Sequence, residues 1–533
     1  MAAPHLYCVH ATPRGTARRH GQAASPRGIA IAAIVNLDVN GATVGNTADT
    51  VIPAPASQTA GDGAFDLGRA TAIAATADAA PVGEYLASLL RTATGLYLPV
   101  GRDGNVVLTI EPGHPEGGYD LAVAPDGIRL AANDAAGLFL GVQTLRQLLP
   151  PSSADSPASL VPPEIAATTI SDHPRFAYRG AMLDVARHFF GVDEVKRYID
   201  DIALLKLNVL HLHLTDDQGW RLEIEGWPRL TQHGGSTQVG GAGGGFYTQD
   251  DFREIVAYAT SRFITIVPEI DLPGHTNAAL SSYPELTCDG HAPKLYEGIE
   301  VGFSSLCIDN AHTYEFVADV LGQVAALTPG PWIHIGGDEA LSTPDADYLR
   351  FIERASGIAA ATGKTVIGWH EMGRSPDLPA GTVGEYWSFT TPEGDAAEVS
   401  RRFVDRGGRL ILAPADVAYL DMKYDESSAL GLVWAKGPTS IEDAYGWDPA
   451  EVIPGVGDAQ LLGVEAPLWT ETIVTMTDIE SMAFPRIAAI AELAWSPRRT
   501  RDFTEFASRL AAFGAHLAAL GIAFHRAPGV PWR

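Results

Sequence analysis

Pro331-Trp332-Ile333-His334-Ile335-Gly336-Gly337-Asp338-Glu339-Ala340 begins as a short apolar run of the kind that forms a buried parallel strand, then breaks at two glycines that free the backbone to turn. Two carboxylates follow at once. At the carboxyl end of a strand, where α/β enzymes place their chemistry, an Asp-Glu pair can supply a proton donor and a second charge that steadies a cationic transition state. Taken alone, the same pair also fits a solvated acid at a helix start. The rest of the chain decides between these readings.

Working outward, strand-like runs recur after Pro174, each followed by a helical pattern, which is the alternation of a parallel sheet with crossover helices. The runs are 179–185, 209–214, 264–268, 332–336, 365–369, 383–387, 409–413 and 462–465. Eight such units specify an α/β fold, a (β/α)8 TIM barrel over 174–533. The carboxyl ends carry Asp184 and Arg187, Asp216 and Asp217, Glu269, Asp271 and His275, Asp338 and Glu339, Trp369 and His370, Trp387, Tyr419 and Asp421, and Trp469 and Glu471. Barrel enzymes build their sites at that face, so these scattered residues are expected to converge. The final helical pattern, 503–520, is expected to close the outer ring.

Ahead of the barrel, residues 46–165 mix alanine-rich helical pattern with short strands, including a hairpin around Pro125-Asp126-Gly127 and a helix over 135–149. This predicts a small, non-catalytic α+β domain with a packing role, ending in a Pro/Ser-rich stretch up to Pro163. The leader 1–45 holds four arginines before a short, broken apolar stretch, and is expected to be disordered or a targeting remnant. The glycine-rich stretch 234–245 lacks the Lys-Ser/Thr that cradles phosphate and reads as a flexible loop.

With 64 acidic against 37 basic residues the formal charge is −27, which argues against nucleic acid or an anionic membrane as partner. No apolar run of about 18 residues is present to span a membrane. Of three cysteines, Cys288 and Cys307 lie in one loop-rich insertion. They read equally as a disulfide, implying an oxidising compartment and a secreted protein, or as a buried thiol pair.

Trp369, Trp387, Trp434, Trp469 and Tyr419 at or beyond strand ends suit the flat C–H faces of sugars, with Arg and carboxylates for the hydroxyls. Glycoside cleavage usually needs two carboxyl groups facing each other across the bond. Adjacent residues of an extended chain point to opposite sides, so Asp338 and Glu339 are not expected to form that pair unless a turn intervenes. The alternative is a substrate-assisted hydrolase, in which the sugar's own 2-acetamido oxygen attacks. Two rivals stand beside it: a metal-dependent hydrolase using His211 and His213, which share a strand face, and a sugar-binding protein without turnover.

Four blocks carry a resemblance: His334 to Glu339, Met182 to Phe189, His211 to Asp217, and Pro268 to His275. With them, the chain resembles the family-20 glycoside hydrolases, the β-N-acetylhexosaminidases, over about 46–530. The resemblance implies a retaining, exo-acting enzyme that removes terminal N-acetylglucosamine or N-acetylgalactosamine from oligosaccharides such as chitooligosaccharides, with no cofactor and no metal. It implies Glu339 as general acid/base, Asp338 as the group orienting the acetamide, and Tyr419 as donor to the amide carbonyl. Trp369, Trp387 and Trp469 would wall the N-acetyl pocket, Arg187, Glu471 and Asp421 would hold hydroxyls, and Trp434 would stack on the leaving group. Asp216 and His275 would support Glu339 from behind.

Overall fold

The computed structural model describes residues 50–151, 163–241, 243–498 and 501–532. The leader 1–45 and most of the Pro/Ser-rich stretch before Pro163 lie outside the described residues.

The first sheet has seven strands: β1 (Ser57–Asp66), β2 (Ile73–Ala75), β3 (Val100–Gly101), β4 (Val106–Ile110), β5 (Tyr119–Ala124), β6 (Gly127–Ala132) and β7 (Glu164–Asp172), in the order β1-β7-β5-β6-β4-β2-β3. β5 and β6 form the expected antiparallel hairpin, and their alternate buried residues face the helix Ala135–Leu148. The domain was expected to end at 165. In fact β7 runs to Asp172 and pairs with both β1 and β5, so the sheet continues past that boundary. A single strand beyond the Pro/Ser-rich stretch carries no partner pattern of its own in the sequence to mark it.

The packing role expected of this domain has a concrete basis at Asp172. Its carboxylate accepts from Tyr119 Oη at 2.6 Å, Lys206 Nζ at 2.9 Å and Trp495 Nε1 at 2.9 Å, all buried. Lys206 and Trp495 belong to the barrel, so a satisfied ion pair joins the two layers. Such a pair is costly to break from one side.

The barrel strands are β8 (Tyr178–Asp184), β9 (Val209–His213), β10 (Thr265–Glu269), β11 (Trp332–His334), β12 (Thr365–Trp369), β13 (Val383–Tyr386), β14 (Leu410–Leu412) and β15 (Leu461–Leu468), all parallel and closed by β15 pairing with β8. All eight expected runs are strands. They are mainly apolar and almost wholly buried, as strands covered on both faces must be, with the buried charges Asp184, His213 and Glu269 grouped at one end. Register aligns Asp184 with His213, His213 with Glu269, and Glu269 with His334, so four polar residues lie at one level near the carboxyl face. The helix Phe503–Ala519 packs Phe506, Leu510 and Phe513 inward, with Arg509 bonded to Glu492 of the helix Arg486–Trp495 at 2.6 Å.

The glycine-rich stretch is not the free loop the sequence suggested. The buried Arg221 guanidinium donates to the carbonyls of Val185, Ala186, Gly235, Thr237 and Gly245, fixing the described residues of that stretch to the end of β8. Cys288 and Cys307 form a disulfide within the loop-rich insertion. Among the described residues, no helix is long and apolar enough to cross a membrane.

Candidate active site

The turn after β11 sets the site. Gly336 and Gly337 have φ of 66° and 105°, and a Cβ on Gly336 would meet Asp271 Oδ1 at 1.7 Å, while one on Gly337 would meet Met372 Cγ at 2.5 Å. Only glycine fits both the backbone and the space. Gly337 N–H donates to Asp271, Trp369 N–H to Gly336 O and Tyr348 Oη to Gly337 O, so the turn is held from three sides. Glu339 itself sits at φ 43°, an uncommon conformation for a residue with a side chain and one found at functional sites.

This geometry overturns the expectation that the two acids diverge. Asp338 Oδ2 lies 3.7 Å and Glu339 Oε2 3.5 Å from the same atom, His275 Nε2. The chain is not extended here, so the alternation of side chains does not apply.

His275 is buried, also at positive φ, and its Nδ1 lies 3.2 Å from Asp216 Oδ1. Asp216 in turn meets Arg187 Nη2 at 2.8 Å and His213 Nε2 at 2.8 Å. Burial alone would raise Asp216, yet Arg187 and His275 hold its carboxyl well below the usual range. Burial would likewise lower His275, and Asp216 and Asp338 instead hold it well above the ordinary imidazole value, as a cation. Asp338 is pushed up to about 7, first by burial, with His275 opposing and Glu371 and Glu339 adding to the rise.

Above this turn opens a cavity of about 290 Å³. Arg187, His275, Asp338, Glu339, Trp387, Tyr419, Trp434, Trp469 and Glu471 line it, so most of the residues scattered along the sequence converge. Arg187 stacks 4.8 Å over the Trp469 ring and lies 4.0 Å from Glu471. Tyr419 and Trp469 are 6.2 Å apart between ring centroids, and Trp434 stands edge-on to Tyr419 at 5.8 Å, half exposed at the rim.

Two residues expected to touch the sugar, Trp369 as a wall and Asp421 on a hydroxyl, do not line the cavity. Trp369 is buried behind Trp469, ring centroids 6.0 Å apart, and Asp421 is buried with its carboxyl raised by burial and by Glu471. Sequence reasoning gave no role to Glu371, which accepts the Trp387 indole N–H at 3.0 Å, or to Ile299, Val301 and Leu432 at the rim. An acid two residues past the end of β12 was a signal for Glu371. The rim residues sit in irregular loops and left none.

His211 and His213, the basis of the metal reading, are each engaged on both nitrogens by carboxylates: His211 by Glu269 and Glu465 at 3.1 and 2.9 Å, His213 by Glu269 and Asp216 at 2.5 and 2.8 Å. His213 is hydrogen-bonded on both nitrogens and His211 on Nδ1, with His211 Nε2 only facing Glu269 across an ion-pair distance, so both fit structural histidines held by carboxylates.

A closed barrel with paired acids, an aromatic box and an Arg-carboxylate corner at its carboxyl face defines a barrel glycoside hydrolase. The model of the glycosyl hydrolase family 20 catalytic domain matches residues 176–498, and that of the family's domain 2 matches 48–173. The chain is 41% identical over 494 residues to a β-N-acetylhexosaminidase of Cellulomonas fimi, covering 90% of this chain and 97% of that one. The N-acetyl-β-hexosaminidase of Streptomyces plicatus, solved in complex with Thio-NAglucal, is 51% identical with a TM-score of 0.88, covering 91% of this chain and 98% of that one. The enzyme of Streptomyces coelicolor A3(2) is alike at 51% and 0.88, covering 91% and 99%. The chain belongs to glycosyl hydrolase family 20 and is a β-N-acetylhexosaminidase of that family.

Proposed function

We propose that the enzyme removes terminal non-reducing N-acetylglucosamine or N-acetylgalactosamine from oligosaccharides, chitooligosaccharides among them, by substrate-assisted catalysis with retention of configuration. The observation that carries this reading is the pairing of Asp338 and Glu339 against one imidazolium nitrogen, at 3.7 and 3.5 Å. Two acids on one turn cannot flank a glycosidic bond as acid and attacking nucleophile, but they can serve neighbouring atoms of one sugar.

Glu339, protonated, gives its proton to the leaving oxygen as the C1–O bond breaks. The acetamido carbonyl oxygen attacks C1 from the opposite face, forming a cyclic oxazolinium. The Asp338 carboxylate accepts the acetamido N–H and balances the positive charge, and Tyr419 donates its hydroxyl to the amide oxygen. Glu339, now a carboxylate, takes a proton from the water that opens the ring at C1, and two inversions return the β configuration. Trp387 and Trp469 wall the acetamide, with Trp369 behind. Arg187 and Glu471 hold the hydroxyls of the terminal sugar, with Asp421 buried beside Glu471, and Trp434 stacks on the leaving group. Arg187 and Glu471, both largely buried where they line the cavity, leave room for a single terminal sugar against them, hence exo action.

The Cys288–Cys307 disulfide supports an oxidising compartment and therefore secretion, which fractionation of the native host checks. The mechanism is tested with 4-nitrophenyl glycosides whose N-acetyl group carries zero to three fluorines. Fluorine weakens the amide oxygen as a nucleophile, so kcat should fall steeply along the series and the glucoside should be a poor substrate. A flat series, or comparable rates on glucoside and N-acetylglucosaminide, overturns the reading.

A further inference from the structure

We propose that Glu269 is a positioning residue that ties the tryptophan behind the sugar pocket to the proton donor, acting through His213, Asp216 and His275. Glu269 ends β10, and register sets it between His213 of β9 and His334 of β11. Its Oε1 accepts the Trp369 indole N–H at 3.0 Å, and its Oε2 meets His213 Nδ1 at 2.5 Å. From His213 the path continues to Asp216 at 2.8 Å, to His275 at 3.2 Å, and from His275 Nε2 to Glu339 and Asp338. Every link up to His275 is buried, so none is screened by water.

The groups facing Glu269 determine what it can do. From β9 come His213 and His211, the latter at 3.1 Å. From β11 comes His334, at 3.0 Å, and from β12 the neutral indole of Trp369. Beyond these, Glu465 of β15 lies against His211, and Glu385 of β13 is 3.6 Å from His334. Asp271 and Arg187 flank Asp216 and His275. Burial favours the neutral carboxyl, but His213, His334 and His211 hold Glu269 well below the usual carboxylate range. Burial lowers His213, and Glu269 and Asp216 bring it up to about 9. Charges therefore alternate from Glu269 to His213, Asp216 and His275. As an imidazolium, His213 donates one N–H to Glu269 and the other to Asp216. A neutral ring leaves Asp216 without that positive partner. The weakened pair frees Asp216 to shift, and with it the imidazolium that aligns Glu339.

The test is Glu269→Gln, which keeps an oxygen for Trp369 and removes the charge that holds His213 protonated. This proposal rests on Glu339 as the acid, so Glu339→Gln is run beside it. The variant's kcat/KM on an N-acetylglucosaminide should lose activity on the basic side at a pH lower by about half a unit or more, because His213 then titrates nearer its ordinary value. Its kcat on a poor leaving group should fall about tenfold or more, and less on an activated one, since only the former needs an aligned acid. A uniform fall at all pH values, equal for both leaving groups, overturns the proposal and leaves a purely structural role. Should Glu269→Gln not fold, His213→Gln cuts the same path while sparing the Trp369 bond, and an unequal leaving-group loss is expected again. An equal loss there overturns the proposal. If instead Glu339→Gln keeps full activity on poor leaving groups, the acid assignment itself fails.

Discussion

Asp338→Asn should stabilise the fold while it damages catalysis, and the gain should depend on pH in a way the structure dictates. In the folded protein burial lifts the Asp338 carboxyl from 3.8 to about 7, His275 opposing the rise and Glu371 and Glu339 adding to it. A carboxyl raised in this way binds its proton more tightly folded than unfolded. Stability therefore falls as pH rises from 3.8 to about 7 and levels above that window. At about 1.4 kcal/mol per unit, the ionised group costs the fold at most roughly 4 kcal/mol at pH 8 and roughly 2 kcal/mol at pH 5. Asparagine mimics the neutral acid and removes this cost. Over the compact unit Asn46–Arg533, an unfolding entropy of about 2.1 cal/mol/K per residue converts the gain to roughly 4 °C in Tm at pH 8 and roughly 2 °C at pH 5. Scanning calorimetry of both proteins across that range measures it, with turnover assayed alongside. A gain independent of pH, or none at pH 8, would refute the account of Asp338 as a desolvated, functionally retained charge.

Glu339→Gln should leave sugar binding nearly intact and slow poor leaving groups by roughly 100-fold or more, the range for a lost general acid; calorimetric titration with product and initial rates separate the two. Replacing Cys288 and Cys307 by Ser opens a loop of 19 residues, and should lower stability by about 3 kcal/mol in the chain-entropy picture, read from denaturant midpoints. Trp434→Ala removes a half-exposed ring at the rim; loss of about 1 kcal/mol of stacking should raise KM for oligosaccharides by roughly fivefold, more than it lowers kcat.

Much of the candidate site was legible before folding because its residues sit at strand ends, and strand ends of a parallel barrel share one face. Arg187 could thus be grouped with Tyr419, Trp469 and Glu471 although more than two hundred positions separate it from them. What eluded that logic depended on turns and on depth. Glu339 joins Asp338 at one imidazole only because two glycines and a left-handed residue follow β11. Trp369 lies behind the wall and not on it, since strand position fixes direction but not what neighbouring side chains cover. Arg221 could not be connected to the glycine-rich stretch, because a guanidinium that binds distant carbonyls leaves no periodic trace.

By itself the chain's order of residues determined the barrel, through eight apolar runs each too short to be anything but buried strands, and it determined the acidic, sugar-suited character of the carboxyl face. Only the tertiary structure decided that Glu269, His213, Asp216 and His275 form one line of alternating charge. Such a line needs β9 and β10 in register, the loops after them folded over the barrel end, and exclusion of water, and these arise only in the folded barrel.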